Sequence, residues 1–184
     1  MSGSVGTDVP TEPDMNGIAG RHLVLVGLMG VGKTTVGEVI ARRLGRELVD
    51  SDLRIEALTG RTVKQILDAD GVAEMRRVEA QALFDALADD EPRVIAAAAG
   101  VVLDPDNRDR LNAADAEVVW LTADPALLGP RTATRAHRPW LDDDAVGTLR
   151  RMEDERAPLY REVADRVVPV DGLTPDEIAD RVLA

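Results

Sequence analysis

A glycine-rich stretch, GLMGVGKTT, occupies residues 27–35 between an apolar run and a stretch with helical periodicity. It matches the pattern G-x-x-x-x-G-K-[ST], whose fixed positions here are Gly27, Gly32, Lys33 and Thr34. Glycines let the backbone curl so that successive N–H groups point at phosphate oxygens, and the helix that follows adds its N-terminal dipole. The lysine of this pattern bridges the β- and γ-phosphates, and the threonine hydroxyl binds Mg²⁺. The motif therefore predicts a site for a nucleoside triphosphate, with contacts to Gly30, Val31, Gly32, Lys33, Thr34 and Thr35.

Two carboxylates follow at the end of the next apolar run, where LVDSD contains Asp50 and Asp52. Residues two apart in an extended strand share a face, and the carboxyl end of this strand lies beside the phosphate loop in the expected sheet. One of these carboxylates can then help to position Mg²⁺ through water, while the other can accept a hydrogen bond from a substrate hydroxyl and take its proton. On these two residues alone, a solvated acidic turn is an equally good interpretation.

Three arginines in separate places are candidate anion contacts: Arg76 in EMRRVE, Arg138 in HRPWL and Arg156 in ERAPLY. Each alone has the appearance of an ordinary surface arginine. Glu79 follows Arg76 by three residues, on the same helical face, and can hold that guanidinium in place for a planar anion.

Short apolar runs alternate with longer amphipathic stretches from His22 onward, which is typical of strands joined by crossover helices around a parallel sheet. The expected strands are HLVLVG, RELVD, RVIAAA, AEVVWL and DRVVPV; the expected helices are Lys33–Leu44, Val72–Ala88, Asp124 to about Pro130, Asp142–Glu155 and Pro175–Leu183. An extra segment, Leu53–Gly71, is long enough for two short helices. It is a natural wall for a second substrate, because ligands of such sheets collect at the carboxyl ends of the strands.

Composition predicts one cytoplasmic domain. The chain has 184 residues, 45% of them hydrophobic, no cysteine and a formal charge of −12. The lack of cysteine fits a reducing compartment, and the negative charge opposes binding to nucleic acid or to an anionic membrane. Residues 1–20 lack the basic start and apolar core of a signal peptide, so we expect a flexible tail there and a single domain over 21–184. We expect a soluble monomer.

In several motifs at once the sequence resembles the shikimate kinases, members of the nucleoside-monophosphate-kinase-like P-loop fold. The likeness runs from about His22 to the C-terminus. Besides the phosphate loop, it rests on Asp50-Ser51-Asp52 for the family's D-x-D, Met75-Arg76-Arg77-Val78-Glu79 for FRRIE, Arg131 with Arg138-Pro139 for the lid, and Arg156-Ala157-Pro158-Leu159-Tyr160 for RxPLY. The resemblance implies an α/β fold of three layers, in which helices flank a five-stranded parallel sheet. A helical substrate-binding insertion would span about 53–90, and a mobile lid about 131–144.

The resemblance also implies an activity, the ATP- and Mg²⁺-dependent phosphorylation of the 3-hydroxyl of shikimate. Carried over by position, Asp52 would bind the substrate hydroxyls, Arg76 and Arg156 the carboxylate, and Ala99 and Gly100 would lie beside the ring. In the catalytic group, Lys33 and Asp52 would be joined by Arg138, which covers the transferring phosphoryl group from the lid. Arg131 and Pro175 would lie over the two faces of adenine.

The sequence departs from the family on the acceptor side. Ala98-Ala99-Gly100 stands where the family usually has three glycines, and Gly71-Val72-Ala73-Glu74-Met75-Arg76 stands for GExxFR. If the backbone at 98 and 99 needs positive φ, two methyl groups would strain or displace it. Two alternatives therefore stay open: a kinase of another small hydroxylated acid, such as a gluconate-like or aminoshikimate-like compound, and a nucleotide-binding protein without catalysis.

Overall fold

A computed structural model describes residues 18–133 and 144–184, with side chains except at 130–133. Its centre is a five-stranded sheet in which every strand is parallel to its neighbours and the order is β2-β3-β1-β4-β5. The strands are β1 (His22–Val26), β2 (Leu48–Asp50), β3 (Val94–Ala96), β4 (Ala116–Thr122) and β5 (Arg166–Pro169). In the described residues, seven α-helices accompany the sheet, as the sequence pattern predicts for an α/β fold.

The helices are α1 (Lys33–Leu44), α2 (Ser51–Thr59), α3 (Val63–Leu87), α4 (Pro105–Ala113), α5 (Pro125–Ala133), α6 (Ala145–Val163) and α7 (Pro175–Leu183), and a short 3₁₀ helix covers Val101–Leu103. The segment Leu53–Gly71 is occupied by α2 and the first part of α3. Gly71 interrupts α3 with φ 83° and ψ 180°, so the element is two helices joined at a kink. The two parts of α3, before and after Gly71, correspond to the helices expected on either side of this residue.

The structure contains one helix that was not expected, and another helix continues well beyond its expected end. Helix α4 was missed, although Asp104 accepts a hydrogen bond from the Asp106 N–H and Pro105 occupies the first turn, which is a standard start signal. Helix α6 continues to Val163 instead of ending at Glu155. Pro158 forfeits one backbone hydrogen bond inside it, but Tyr160 and Val163 are buried in the core, and that packing keeps the chain helical.

The core follows the central strands. All residues of β1 and all but the last of β4 are buried, and Trp120 on β4 packs against Tyr160 of α6, with ring centroids 5.6 Å apart. Ile18, which falls within the expected tail of residues 1–20, is also buried in this core. Residues 1–17 lie outside the described part, as does most of the expected lid. Within the described ranges, no helix has both the length and the apolar character needed to span a membrane.

Candidate active site

The sheet order brings three loops into a row. Strand β3 lies between β1 and β2, with Ala96 opposite both Leu25 and Asp50. Because all three strands are parallel, the segments that follow them leave the same edge. The phosphate loop, the segment 97–100 and Asp50 therefore surround one cavity of about 680 Å³. Its lining residues are Met29–Val36, Asp50, Asp52, Leu53, Glu56, Thr62–Lys64, Met75, Arg76, Glu79, Ala96–Gly100, Arg156, Leu173, Pro175 and Ile178.

The phosphate loop depends on glycine at two points. Gly27 has φ 138°, and a Cβ there would lie 2.3 Å from the Leu121 carbonyl oxygen, so the loop can pass β4 only without a side chain. Gly32 has φ 106° and forms the N-cap of α1. The Lys33 ammonium folds back over this loop and donates hydrogen bonds to the carbonyl oxygens of Gly27 at 2.7 Å and Leu28 at 3.1 Å. The loop thus has the curled shape that a polyphosphate needs.

Beside the loop, Asp50 joins β2 to both neighbouring helices. Its Oδ2 accepts a hydrogen bond from the Thr34 hydroxyl at 2.6 Å, and its Oδ1 accepts from the N–H groups of Asp52 and Leu53, which caps α2. These contacts fix the carboxylate and the hydroxyl within one small volume. Hard oxygen donors of this kind suit Mg²⁺, which usually takes one or two protein ligands and completes its shell with water and phosphate. Among the residues whose side chains are described, no group of three or more His, Asp or Glu residues is placed to hold a metal ion.

The opposite half of the cavity contains an arginine held by a buried acid. Arg76 Nη1 donates to Glu79 Oε2 at 2.5 Å, and the Glu79 side chain is 8% exposed. Burial raises the pKa of Glu79, although Arg76 opposes that rise. Gly100 makes room for this guanidinium, since a Cβ at residue 100 would lie 1.5 Å from Arg76 Nη1. A side chain at 100 would therefore force the guanidinium out of its place.

A second arginine reaches the same half from α6. Arg156 is 6% exposed; its Nη1 donates to the Ala99 carbonyl oxygen at 3.3 Å, and its buried Nε has no hydrogen-bond partner. The same carbonyl accepts a hydrogen bond of 2.7 Å from the Tyr160 hydroxyl, whose pKa is raised by burial. A buried guanidinium with an unpaired N–H is expensive unless a ligand completes it. This half of the cavity is thus prepared for an anion.

The family model described as shikimate kinase matches residues 29–184. The chain belongs to the shikimate kinase family. A shikimate kinase from Dechloromonas aromatica is 42% identical over 89% of this chain and 88% of its own length, and one from Streptomyces coelicolor is 40% identical over 88% and 92%. The solved structure of the Acinetobacter baumannii shikimate kinase in complex with shikimate matches with a TM-score of 0.85 and 34% identity over 89% of this chain and 90% of that one.

The site residues expected for a shikimate kinase divide into those that the structure brings together and those outside its described part. Residues that line the one cavity are Gly30, Val31, Gly32, Lys33, Thr34, Thr35, Asp50, Asp52, Arg76, Ala99, Gly100, Arg156 and Pro175. Arg138 lies outside the described residues, and Arg131 is described only in its backbone, within α5. The roles of all these residues stay predictions.

The structure corrects the expected position of the two carboxylates and adds two charged residues to the cavity wall. Asp50 and Asp52 do not share the face of a strand, because β2 ends at Asp50 and Asp52 lies in the first turn of α2. A helix begins at once because the Asp50 side chain caps it, yet both carboxylates still line the cavity. The reasoning also missed Glu56 and Lys64 as lining residues. Lys64 had a visible signal, since the whole chain contains a single other lysine, Lys33.

The departure at Ala98 and Ala99 causes no backbone strain. No described residue other than glycine has positive φ, and Gly100 itself has a φ of −97°. The strained alternative for this segment therefore does not apply. Alanine fits here because the backbone conformation is one that any L-residue adopts.

Proposed function

We propose that this protein transfers the γ-phosphoryl group of ATP to the 3-hydroxyl of shikimate, which yields shikimate 3-phosphate and ADP. The observation that carries the proposal is the joining of two chemistries in one cavity. A complete phosphate loop lies at one end, and at the other lie two arginines beside the carboxylate of Asp52. The family relationship supports the same reaction.

In this proposal ATP lies along the phosphate loop, with its adenine toward Leu173, Pro175 and Ile178 on α7 and the turn before it. Helix α7 is held against α1 because Arg43 pairs with Asp176 at 2.8 Å and Asp180 at 2.6 Å. Pro175 therefore has a fixed position relative to the loop. Arg131 and Arg138 are the proposed contacts from the lid to adenine and to the transferring phosphoryl group.

Lys33 would exchange the carbonyl oxygens of Gly27 and Leu28 for β- and γ-phosphate oxygens. Thr34 and Asp50 would hold Mg²⁺, directly or through water, and the metal would supply neutralisation of phosphate charge. The hydrogen bond between the Thr34 hydroxyl and the Asp50 carboxylate keeps these two proposed metal-binding groups close together. Most of the catalysis is then positioning and charge neutralisation, which is what phosphoryl transfer asks of a protein.

On the acceptor side, Arg76 and Arg156 would bind the shikimate carboxylate, and the ring would lie against Ala99 and Gly100. Asp52 would accept the hydrogen bond of the attacking hydroxyl and take its proton as the new P–O bond forms. The bond that breaks joins the γ-phosphorus to the bridging oxygen, whose electrons leave with ADP. Glu79 keeps Arg76 in place and so acts as a positioning residue.

We further propose that the enzyme works as a monomer in the cytoplasm, with ATP and shikimate as its only ligands apart from Mg²⁺. The cysteine-free composition is compatible with a reducing compartment. The charge of −12 disfavours nucleic acid and anionic membranes as partners.

The test is an ADP-release assay on the full chain with shikimate, an aminoshikimate and gluconate as acceptors, each with and without Mg²⁺. We expect ADP release that depends on shikimate and stops when EDTA removes the metal. Turnover of gluconate in the absence of turnover of shikimate would replace the substrate. ATP binding without turnover of any acid would contradict the kinase reaction itself.

A further inference from the structure

The lysines of this chain are unusually placed. Lysine and arginine together number 22, yet Lys33 and Lys64 are the only two lysines, and both line the same cavity. Lys33 belongs to the phosphate loop. The proposed reaction assigns nothing to Lys64.

We call the part of the cavity around Asp52, Arg76, Gly100 and Arg156 the acceptor half. Lys64 lines the same cavity and shares helix α3 with Arg76. It is the second residue of α3, its side chain is 37% exposed, and it forms an ion pair with Asp68 one turn further on. Neighbouring lining residues are Glu56 on α2 and Val63. A cation at a helix N-terminus opposes the helix dipole. Thr62 and Gln65 already provide a complete capping box, and the exposed ion pair with Asp68 adds little to the stability of α3.

The charges of the chain and of the cavity wall indicate a role for Lys64. The chain carries a formal charge of −12, and the cavity wall includes Asp50, Asp52, Glu56 and Glu79. The net negative charge of the chain repels an incoming carboxylate at long range, and the acids of the wall are opposed there by Lys33, Lys64, Arg76 and Arg156. Arg156 is buried, and the charge of Arg76 is balanced by Glu79 at 2.5 Å. Outside the phosphate loop, Lys64 is the most exposed of the three described cations of the wall, since its side chain is 37% exposed against 29% for Arg76, and Arg156 is buried.

We propose that Lys64 is a substrate-attracting residue at the mouth of the acceptor half. It exchanges its ion pair with Asp68 for a transient one with the carboxylate of the acceptor, which then passes to Arg76 and Arg156. The proposal rests on the proposed function in taking shikimate as the acceptor. Lys64 does not touch the reacting atoms, so its effect falls on binding of the acceptor and leaves kcat unchanged.

This role predicts a salt-dependent effect whose sign follows the charge. One unit charge at a half-exposed rim changes the binding of an anion by about two- to fivefold at low ionic strength. Lys64→Gln should weaken shikimate binding by that factor, and Lys64→Glu by about four- to twentyfold. Asp68→Asn removes the competing anion and should tighten binding about twofold. These differences should nearly vanish at about 0.5 M salt, where screening acts within a few ångströms.

The experiment measures the dissociation constant of shikimate by calorimetry in the presence of ADP, at about 0.02 M and about 0.5 M salt. Arg77→Gln, Arg77→Glu and Asp85→Asn are matched controls: they make the same charge changes on the same helix, at residues absent from the cavity wall. Arg77 is also ion-paired, with Glu74 at 2.7 Å. The controls should change shikimate binding by less than twofold.

The proposal is overturned if Lys64→Glu binds shikimate as wild type does at low salt, if its loss persists unchanged at high salt, or if Arg77→Glu loses as much. Binding and turnover separate this result from the proposed function. Wild type that binds shikimate without phosphorylating it contradicts the function and still tests Lys64. Wild type that does not bind shikimate at all contradicts both.

Discussion

The two halves of the cavity are built in different ways. The nucleotide half is a continuous loop, residues 27–35, whose shape follows from glycines with positive φ and whose proposed phosphate contacts come largely from the backbone. The acceptor half is assembled from side chains on α2, α3 and α6 and from the segment after β3. Arg156 is held by the Ala99 carbonyl, which is far from it in the sequence, whereas Arg76 is held by Glu79 on its own helix. One half is therefore specified locally and the other by the packing of the whole domain.

The largest effect is expected from removal of the positively charged side chain of the phosphate loop, Lys33. Lys33→Ala should lower kcat by on the order of 10²–10³ or more, because it deletes a preorganised cation that faces charge developing in the transition state. Shikimate binding should change little, since the Lys33 ammonium folds back over the phosphate loop and donates to the carbonyl oxygens of Gly27 and Leu28. The measurements are steady-state turnover, shikimate calorimetry and circular dichroism. Normal turnover in a folded variant would contradict the assignment of the loop.

A single methyl group can disturb the acceptor half alone. Gly100→Ala introduces no backbone strain at a φ of −97°, but its Cβ would overlap the Arg76 guanidinium. The arginine must leave its position, so we expect the KM for shikimate to rise about tenfold, the loss of roughly one charge-assisted hydrogen bond. The KM for ATP, measured in the same assay, serves as the control and should stay within twofold. An unchanged KM for shikimate would show that the carboxylate is bound elsewhere.

The smallest effect is expected where the sequence departs most visibly from its family. Ala98→Gly combined with Ala99→Gly should change kcat and both KM values by less than about twofold, because neither alanine has a positive φ to relieve. Steady-state kinetics of the double variant beside wild type provide the measurement. A gain of several-fold on shikimate would mean that the two methyl groups do obstruct the acceptor half.

The difference between features specified locally and features that depend on packing explains how much could be predicted from the sequence. The phosphate loop was readable because its chemistry lies in consecutive residues, and the parallel sheet because apolar runs alternate with amphipathic stretches. Helix α4 was missed although its start signal, Asp104 followed by Pro105, is local; its nine residues contain few apolar positions to reveal a period. The end of α6 could not be read locally, since burial of Tyr160 overrides Pro158.

The acceptor half was predictable only through the family resemblance. Nothing in the spacing of Arg76 and Arg156, 80 positions apart in the sequence, indicates that they line one cavity. Local reasoning did find the pair of Arg76 and Glu79, because residues three apart on a helix face each other. The pair of carboxylates was found for the wrong reason, since the cap that Asp50 forms turns the chain into a helix before Asp52.

The most direct test of the central claim, that the cavity has separate nucleotide and carboxylate halves, is the pair of KM values for Arg76→Ala and Arg156→Ala. Each variant should raise the KM for shikimate about ten- to a hundredfold, the equivalent of roughly 1.5–3 kcal/mol for a hydrogen bond to a charged group. The KM for ATP should stay near that of wild type, and Arg77→Ala, the neighbouring arginine outside the cavity, should alter neither. Equal increases in both KM values, or none in the KM for shikimate, would contradict the account.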